Sequence, residues 1–294
     1  MKTLKISYKV KTPLIELLLQ EKSIEELKVQ SLFQKLTFAP KQYPNIYFHQ
    51  GKTDKESLEM LKHAQVNIVN SNHVKQKLIQ QLHLETHKVE VIYPSFTPKE
   101  IAIHEAKKEF LEQLNLDEKT KIIFFTANNL KVNGVKEFIN TILNLNSINF
   151  RVIIASDTQQ ITNLRFQISK YNFEDKVLLY ENFENIDLLF AIADIFVLPT
   201  HNQSFASNIL KAMYYQTAVF VPEHNDSSEL VDVFATMHTP NDPSTAFKLD
   251  ALLSRNEDLE VIKKQNYHIA QQFTLEKELQ KFNSLIEKIK AKIS

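Results

Sequence analysis

Three polar loops, each directly after a short apolar run, hold most of the side chains in this chain that could do chemistry. After IIFFT comes Ala127-Asn128-Asn129-Leu130-Lys131-Val132-Asn133-Gly134. Lys131 could give a point charge to a phosphate, and Gly134 lets the backbone turn tightly into a helix whose first amides point outward. The segment also fits a plain strand-to-helix turn with an exposed lysine. After IFVLP comes Thr200-His201-Asn202-Gln203-Ser204-Phe205-Ala206-Ser207-Asn208. A loop rich in Ser, Asn and Gln before a helix suits sugar hydroxyls or a phosphate, and equally suits capping the helix. After AVFVP, Glu223-His224-Asn225-Asp226-Ser227-Ser228-Glu229 leads to a helix start expected at Leu230-Val231. Nearer the beginning, NIYFHQG puts His49 at a strand end, either as a hydrogen-bonded structural residue or as an acid–base group.

The elements that must position these loops follow from the apolar pattern. Short apolar runs alternate with amphipathic stretches, as in parallel-sheet βα units. Strands are expected at Leu4–Val10, Asn45–Phe48, Val66–Val69 and Val89–Tyr93, then at Lys121–Thr126, Phe150–Ala155, Lys176–Tyr180, Ile195–Leu198 and Ala218–Val221. Runs such as IIFFT, RVIIA and IFVLP suit strands covered on both faces. Val135, Phe138, Ile139, Ile142 and Leu143 recur at helical spacing, as do Leu188, Leu189, Ile192 and Ala193. Pro94-Ser95-Phe96-Thr97-Pro98 separates the two strand series, before a charged helix over Lys99–Leu114. Thr274 can cap a last helix whose Leu275, Leu279, Phe282, Leu285, Ile286 and Ile289 share one face. With nothing local to pack on, that helix is expected to cross between domains.

Composition narrows the chemistry. The 294 residues include two glycines, Gly51 and Gly134, where ordinary usage gives roughly twenty. Any nucleotide site must therefore work without a glycine-rich phosphate cradle, unless the scarcity is a drift of composition alone. There is no cysteine, which excludes disulfides, thiolate metal sites and cysteine nucleophiles and fits a reducing compartment. No metal is called for. The formal net charge is zero, but residues 1–96 carry 14 lysines and no arginine against nine acidic side chains, a net of +5 that leaves −5 for the remainder. A basic amino-terminal part fits an anionic acceptor or lipid, or ordinary solvated lysines. With three arginines and no basic cluster interleaved with aromatics, nucleic acid is not a partner. No apolar run approaches the ~20 residues of a membrane span, and Lys9, Lys11 and Glu16 interrupt the amino-terminal apolar cluster too early for a signal peptide. A cytoplasmic protein is expected, with peripheral contact at the inner membrane face through the basic domain.

Together these segments carry a resemblance. From Lys121 to Val231 the chain resembles the donor-binding domain of GT-B glycosyltransferases, in the retaining group called family 4. The order matches: a strand and turn ending in glycine, then RVIIAS, then VLLYENFENIDLLFAIADIFVLPT, a polar loop, an Ala-Met helix at Ala212-Met213, and a strand followed by Glu-Leu-Val. ADIFVLPT with Phe205 and Asn208 is the most specific part. Upstream, VNIVNSNHVKQKLI and KVEVIYPSF resemble the last strands of the acceptor domain, and His49 falls where the family often has a histidine near the acceptor. The resemblance implies an α/β, GT-B-like architecture of two parallel-sheet, Rossmann-like domains facing a cleft. Its parts would be a short acceptor-side domain over 1–96, a donor-binding domain over 97–274 and a helix over 275–294 returning toward the first.

The departures lie in the donor motifs. The family's lysine before the glycine is Asn133, and its arginine five positions earlier is Asn128. Gln203 and Lys211 replace its glutamate pair, Gln216 and Ala218 a glycine and proline, and Asp226, Ser227 or Ser228 the diphosphate-side glycines, while Glu229 survives. The first strand runs into Lys11-Thr12-Pro13 without the family's glycine turn. Two functions follow as expectations. One is an enzyme moving a sugar from a nucleotide-sugar donor, its only small-molecule requirement, to an envelope glycan or lipid-linked acceptor. Lys131, Gly134, Gln203, Ser204, Phe205, Asn208, Lys211 and Glu229 would then hold the donor, with His49 at the acceptor. The other is a non-catalytic GT-B protein acting as a partner subunit or glycan-binding module. A phosphate-sugar isomerase or epimerase is a distant third, since few acidic residues suit such a site.

Overall fold

A computed structural model describes residues 3–27, 41–171, 173 and 176–293. Lys2, Lys28 and Lys35, which count toward the basic charge of the first part, lie outside them. The chain divides into two compact units, Met1–Phe96 with Leu275–Ser294, and Thr97–Thr274.

The first unit is built on five parallel strands: β1 (Leu4–Tyr8), β2 (Ile24–Glu26), β3 (Ile46–Phe48), β4 (Val66–Val69) and β5 (Val89–Val91), in the order β2-β1-β3-β4-β5. Ile6 sits opposite Ile46 and Ile46 opposite Val66, so β-branched side chains stack across the sheet. Each helix start has a local cause. Thr12 accepts from the Ile15 amide ahead of α1 (Pro13–Leu18), Asp54 from Ser57 ahead of α2 (Lys55–His63), and Ser71 from Val74 ahead of α3 (Asn72–Leu82). The unit's core is completed from far along the chain. The helix α11 (Leu275–Ile293) buries Phe282, Ile286 and Ile289 among Ile6, Leu14, Leu18 and Ile46, and Phe282 stacks on Phe48 at 5.7 Å.

The second unit carries six parallel strands: β6 (Lys121–Thr126), β7 (Phe150–Ser156), β8 (Val177–Glu181), β9 (Ile195–Val197), β10 (Ala218–Pro222) and β11 (Thr236–Met237), in the order β11-β10-β9-β6-β7-β8. Its helices are α4 (Ile103–Gln113), α5 (Val135–Leu143), α6 (Thr158–Ile168), α7 (Ile186–Ile192), α8 (Ser207–Tyr214), α9 (Ser244–Ser254) and α10 (Asn256–Ala270). The central strands are buried on both faces, as their unbroken apolar runs require. On α5, Val135, Phe138, Ile139 and Ile142 face the sheet and Phe138 stacks on Phe125 at 4.9 Å, whereas Leu143, expected on that stripe, is exposed. β9 is held by a charge as well as by its apolar side chains. Buried Asp194 accepts from the Ile122 amide at 2.8 Å and from the Lys107 ammonium, with Lys263 at 3.4 Å. Burial alone would raise the Asp194 pKa, but the two ammonium groups and the amide more than offset it and hold it below the usual carboxylate range.

Two all-parallel sheets with covering helices are the α/β class that the sequence implies. Two strands were not expected, and both are edges. β2 has one buried position followed by two exposed glutamates, and β11 has two residues. An edge strand is paired on one side only and needs little apolar sequence. The helix start expected at Leu230-Val231 is a 3-10 turn over Asp226–Leu230 that ends before Val231.

Both glycines have positive φ, but they differ in what surrounds them. At Gly51 (φ +73) an added Cβ meets nothing within 4 Å. At Gly134 (φ +84) it would overlap the Pro199 carbonyl, lying 2.7 Å from its carbon. Gly51→Ala is therefore expected to cost only the left-handed penalty of about 1–2 kcal/mol. Gly134→Ala adds steric overlap in a packed site and should cost about 3 kcal/mol or more. Urea unfolding of both variants checks this; equal losses would show that the Pro199 approach is not a constraint.

Candidate functional site

Strand order fixes where the second unit can hold a ligand. From β6 the chain adds β7 and β8 on one side, then returns to place β9 on the other. The loops after β6 and β9 therefore diverge at their carboxyl ends, the crevice in which open α/β sheets bind ligands. A cavity of about 470 Å³ lies there, lined by both loops, the first turn of α8 and Asn225 after β10.

The walls are knit by amide side chains. Asn133 Oδ1 accepts from the Thr200 hydroxyl at 2.8 Å and from Asn202 Nδ2 at 3.3 Å, joining the β6 loop to the β9 loop. Asn133 Nδ2 donates to the Asn129 carbonyl, and Asn129 Oδ1 accepts from the Val132 amide. From the third loop, fully buried Asn225 donates to the carbonyls of Asn202 (2.9 Å) and Ser204 (2.8 Å). Its Oδ1 accepts from the Ser227 hydroxyl and amide. Behind the first wall, Gln160 of α6 accepts from the Leu130 amide at 2.6 Å and donates to the Asn128 carbonyl at 3.0 Å. Asn225, the buried amide of this set, has both its oxygen and its nitrogen paired, whereas Asn133 and Gln160 are half-buried and Asn129 and Asn202 exposed.

Of the donor-site residues expected from sequence, Ser204, Phe205 and Asn208 line this cavity. Asn208 reaches the Thr126 carbonyl at 3.5 Å, and Phe205 is 9% exposed. Gly134 is buried behind the wall, where its role is the close approach to Pro199. Lys131 is exposed on the turn and is not among the lining residues. Gln203 is exposed outside the lining, and its carbonyl accepts from the Asp226 amide. Glu229 is half-buried in the 3-10 turn and does not line the cavity. Lys211 is turned to Asp187 of α7. Its ammonium lies 2.8 Å from Oδ1, out of line for a directed hydrogen bond, while Lys99 approaches Oδ2 at 3.6 Å. The residues that sequence reasoning passed over as site members are Asn129, Thr200, Asn202 and Asn225. Their loops were recognised, but nothing in single residue types shows which amides will pair across them.

His49 belongs to the first unit, at the carboxyl end of β3. It is 3% exposed; its Nε2 is 3.3 Å from the Thr53 hydroxyl, and its Nδ1 has no hydrogen-bond partner. The loops after β1 and β3, at this sheet's own switch point, are bridged by Lys9 to Asp54 (2.6 Å) and by the Val10 amide to Gln50 (2.9 Å). Burial holds the His49 pKa down to about 4. Lys9 and Lys77 push it the same way, and Asp54 opposes them. A neutral imidazole at pH 7 can accept or donate a proton-sharing bond but carries no charge.

Comparison with known proteins places these features. The family model for glycosyl transferases group 1 matches residues 106–269. No curated protein matches the chain by sequence. Among solved structures, Anabaena HepE in complex with UDP superposes with a TM-score of 0.72 at 15% identity, over 98% of this chain and 100% of that one. A glycosyltransferase from Rickettsia africae gives 0.69 at 14%, over 97% and 89%. Sucrose-phosphate synthase from Thermosynechococcus elongatus gives 0.68 at 16%, over 84% and 68%. At these identities the likeness carries the fold.

The His49 environment gives a pH dependence of stability. Its folded pKa lies below the unfolded value of ~6.5, so the unfolded chain takes up the proton first. The stabilisation is whole above pH 6.5 and is lost as pH falls toward 4, an effect on the order of 3 kcal/mol at most. Urea unfolding between pH 7 and 4 should show a shallower decline for His49→Asn than for the wild type. Parallel declines would mean that the histidine is not the group titrating.

Proposed function

The chain belongs to the glycosyl transferases group 1, and from that premise we propose that its second unit holds a nucleotide-sugar donor from which the protein transfers the sugar, with retention, to a glycan or lipid-linked acceptor. The observation that carries this is the cavity at the switch point between β6 and β9, walled by hydroxyl and amide side chains. Hydroxyls and amides both donate and accept, as sugar and ribose hydroxyls do. HepE, of the same fold, binds UDP and UDP-glucose, which supports a donor of that class. Ser204, Phe205 and Asn208 are assigned to the donor directly. Gly134 and Gln203 act through the loops they fix, and Lys131 stands exposed on the turn outside the lining. Lys211 and Glu229 support the α8 and 3-10 segments beside the site. His49, neutral and with Nδ1 unpaired, is assigned to an acceptor hydroxyl. The +5 charge of the first 96 residues supports an acceptor that is anionic or lies at a membrane surface. Among the described residues no helix is long and apolar enough to cross a membrane.

A second reading, a non-catalytic glycan-binding or partner subunit, is favoured by one observation. Among the described residues no carboxylate lines the cavity, so none of them is placed there to take a proton or face a sugar carbon. The two are separated by titrating UDP-, GDP- and ADP-sugars in a thermal-shift panel, then measuring nucleotide release. A matching nucleotide sugar at about 100 times its Kd should add about 2.7 kcal/mol of stability. Asn208→Ala should weaken that ligand about tenfold, one lost hydrogen bond. Steady nucleotide release with a glycan acceptor supports the transferase, binding without release supports the subunit, and no shift from any nucleotide sugar removes the donor-site reading.

A further inference from the structure

The cavity of the second unit is notable for what its side chains are. Nine of the lining residues are polar, and all nine are Asn, Ser or Thr; the rest are apolar. Among the described residues no lysine, arginine, histidine, aspartate or glutamate contributes to the lining. The charges nearby are engaged elsewhere or lie in solvent. Lys211 is held by Asp187, His201 is exposed and 3.2 Å from Glu137, and Lys131 is exposed on its turn. An ion pair with an exposed lysine is weak because water and salt screen it.

The neutral walls are built, not vacant of purpose. At position 133 the amide faces inward and bonds the loops on both sides, through Thr200, Asn202 and Asn129. A lysine there has donors but no acceptor, so it could not take the Thr200 and Asn202 protons. The arrangement that fixes the walls therefore requires an uncharged residue at this point. What favours an anion here is the amino termini of α8 and α5 beside the cavity, and a helix dipole is worth only about 0.3–1 kcal/mol. A diphosphate brought into this space would lose hydration without a cation to compensate. A glycosyl group would not. Its hydroxyls match amide and hydroxyl groups, and its C–H face can lie on Phe205 or Val132.

We propose that this pocket binds the uncharged glycosyl part of its ligand and gives a diphosphate no charged partner, so that affinity is set by sugar hydroxyls and is nearly independent of salt. This deepens the donor-site reading and rests on it. Phosphates of a bound nucleotide sugar then lie toward solvent, and the sugar, not the nucleotide, determines which donor is chosen.

Calorimetry on the full chain tests this with UDP-glucose, UDP-N-acetylglucosamine, UDP, pyrophosphate, glucose and N-acetylglucosamine, each at 50 and 500 mM NaCl. The expected result is a UDP-sugar that binds at least tenfold more tightly than UDP, with a Kd changing less than twofold between the two salts, and no competition from pyrophosphate. UDP or pyrophosphate binding as tightly as the best UDP-sugar, with tenfold loss at high salt, overturns the proposal and leaves the nucleotide-sugar reading standing. A free sugar that binds when no UDP-sugar does removes the nucleotide-sugar reading and, with it, the proposal that rests on it. If none of the six binds, both fall. Asn128→Arg adds a cation at an exposed lining position whose side chain takes no part in the amide network described. It should strengthen UDP binding about tenfold and make it salt-sensitive; unchanged UDP affinity in a folded variant overturns the proposal.

Discussion

Where a residue at 134 would carry its Cβ, the backbone of Pro199 already stands. This contact brings the loop after β6 against the loop after β9, and everything at the cavity depends on that approach. With the two backbones in contact, Asn133 can reach Thr200 and Asn202, and Asn225 can tie the far side of the same loop to the turn after β10. One of the chain's two glycines is spent here because only a residue without a Cβ, at positive φ, permits it. In this chain the glycine sets the distance between two walls, and the surfaces facing a ligand are made of side-chain amides.

The same division between fixing and facing runs through the unit. Asp194 is deeply buried and is held below its usual pKa, and burial lowers that of Lys107, yet the carboxylate and its two half-buried lysines align β9 with β6 and the helices behind it. A perturbed carboxylate is often a sign of chemistry, but this one lies at the start of β9, at the opposite end of the strand from the cavity. Asp187 likewise draws Lys211 and Lys99 together beside α8. The unit's strongest electrostatics are structural, and its ligand-facing surface is neutral.

Much of this was legible in residue order. Continuous runs such as IIFFT and AVFVP locate the central strands because a strand covered on both faces has no polar position to interrupt it. The loops after them line the cavity for a topological reason, the strand order reversing between β6 and β9. Edge strands β2 and β11 escape notice because one-sided pairing asks little of their side chains. The fate of Lys211 escapes too, since its partner Asp187 lies 24 positions earlier on another helix and no spacing rule links them. Asparagine is the hardest residue to read. It is common in turns, and its role at 133 or 225 appears only when its donors and acceptors are counted in three dimensions.

The helix Leu275–Ile293 gives its apolar face to a sheet whose strands all precede residue 92. Between them lies the whole second unit. During synthesis, Ile6, Leu14 and Phe48 must wait without Phe282 and Ile286, while β6 to β10 and their helices already have all their partners. The middle of the chain thus has the means to finish first and the beginning finishes last. Any truncation before residue 282 uncovers the core of the amino-terminal unit, so a lesion near one end of the gene is felt as instability at the other.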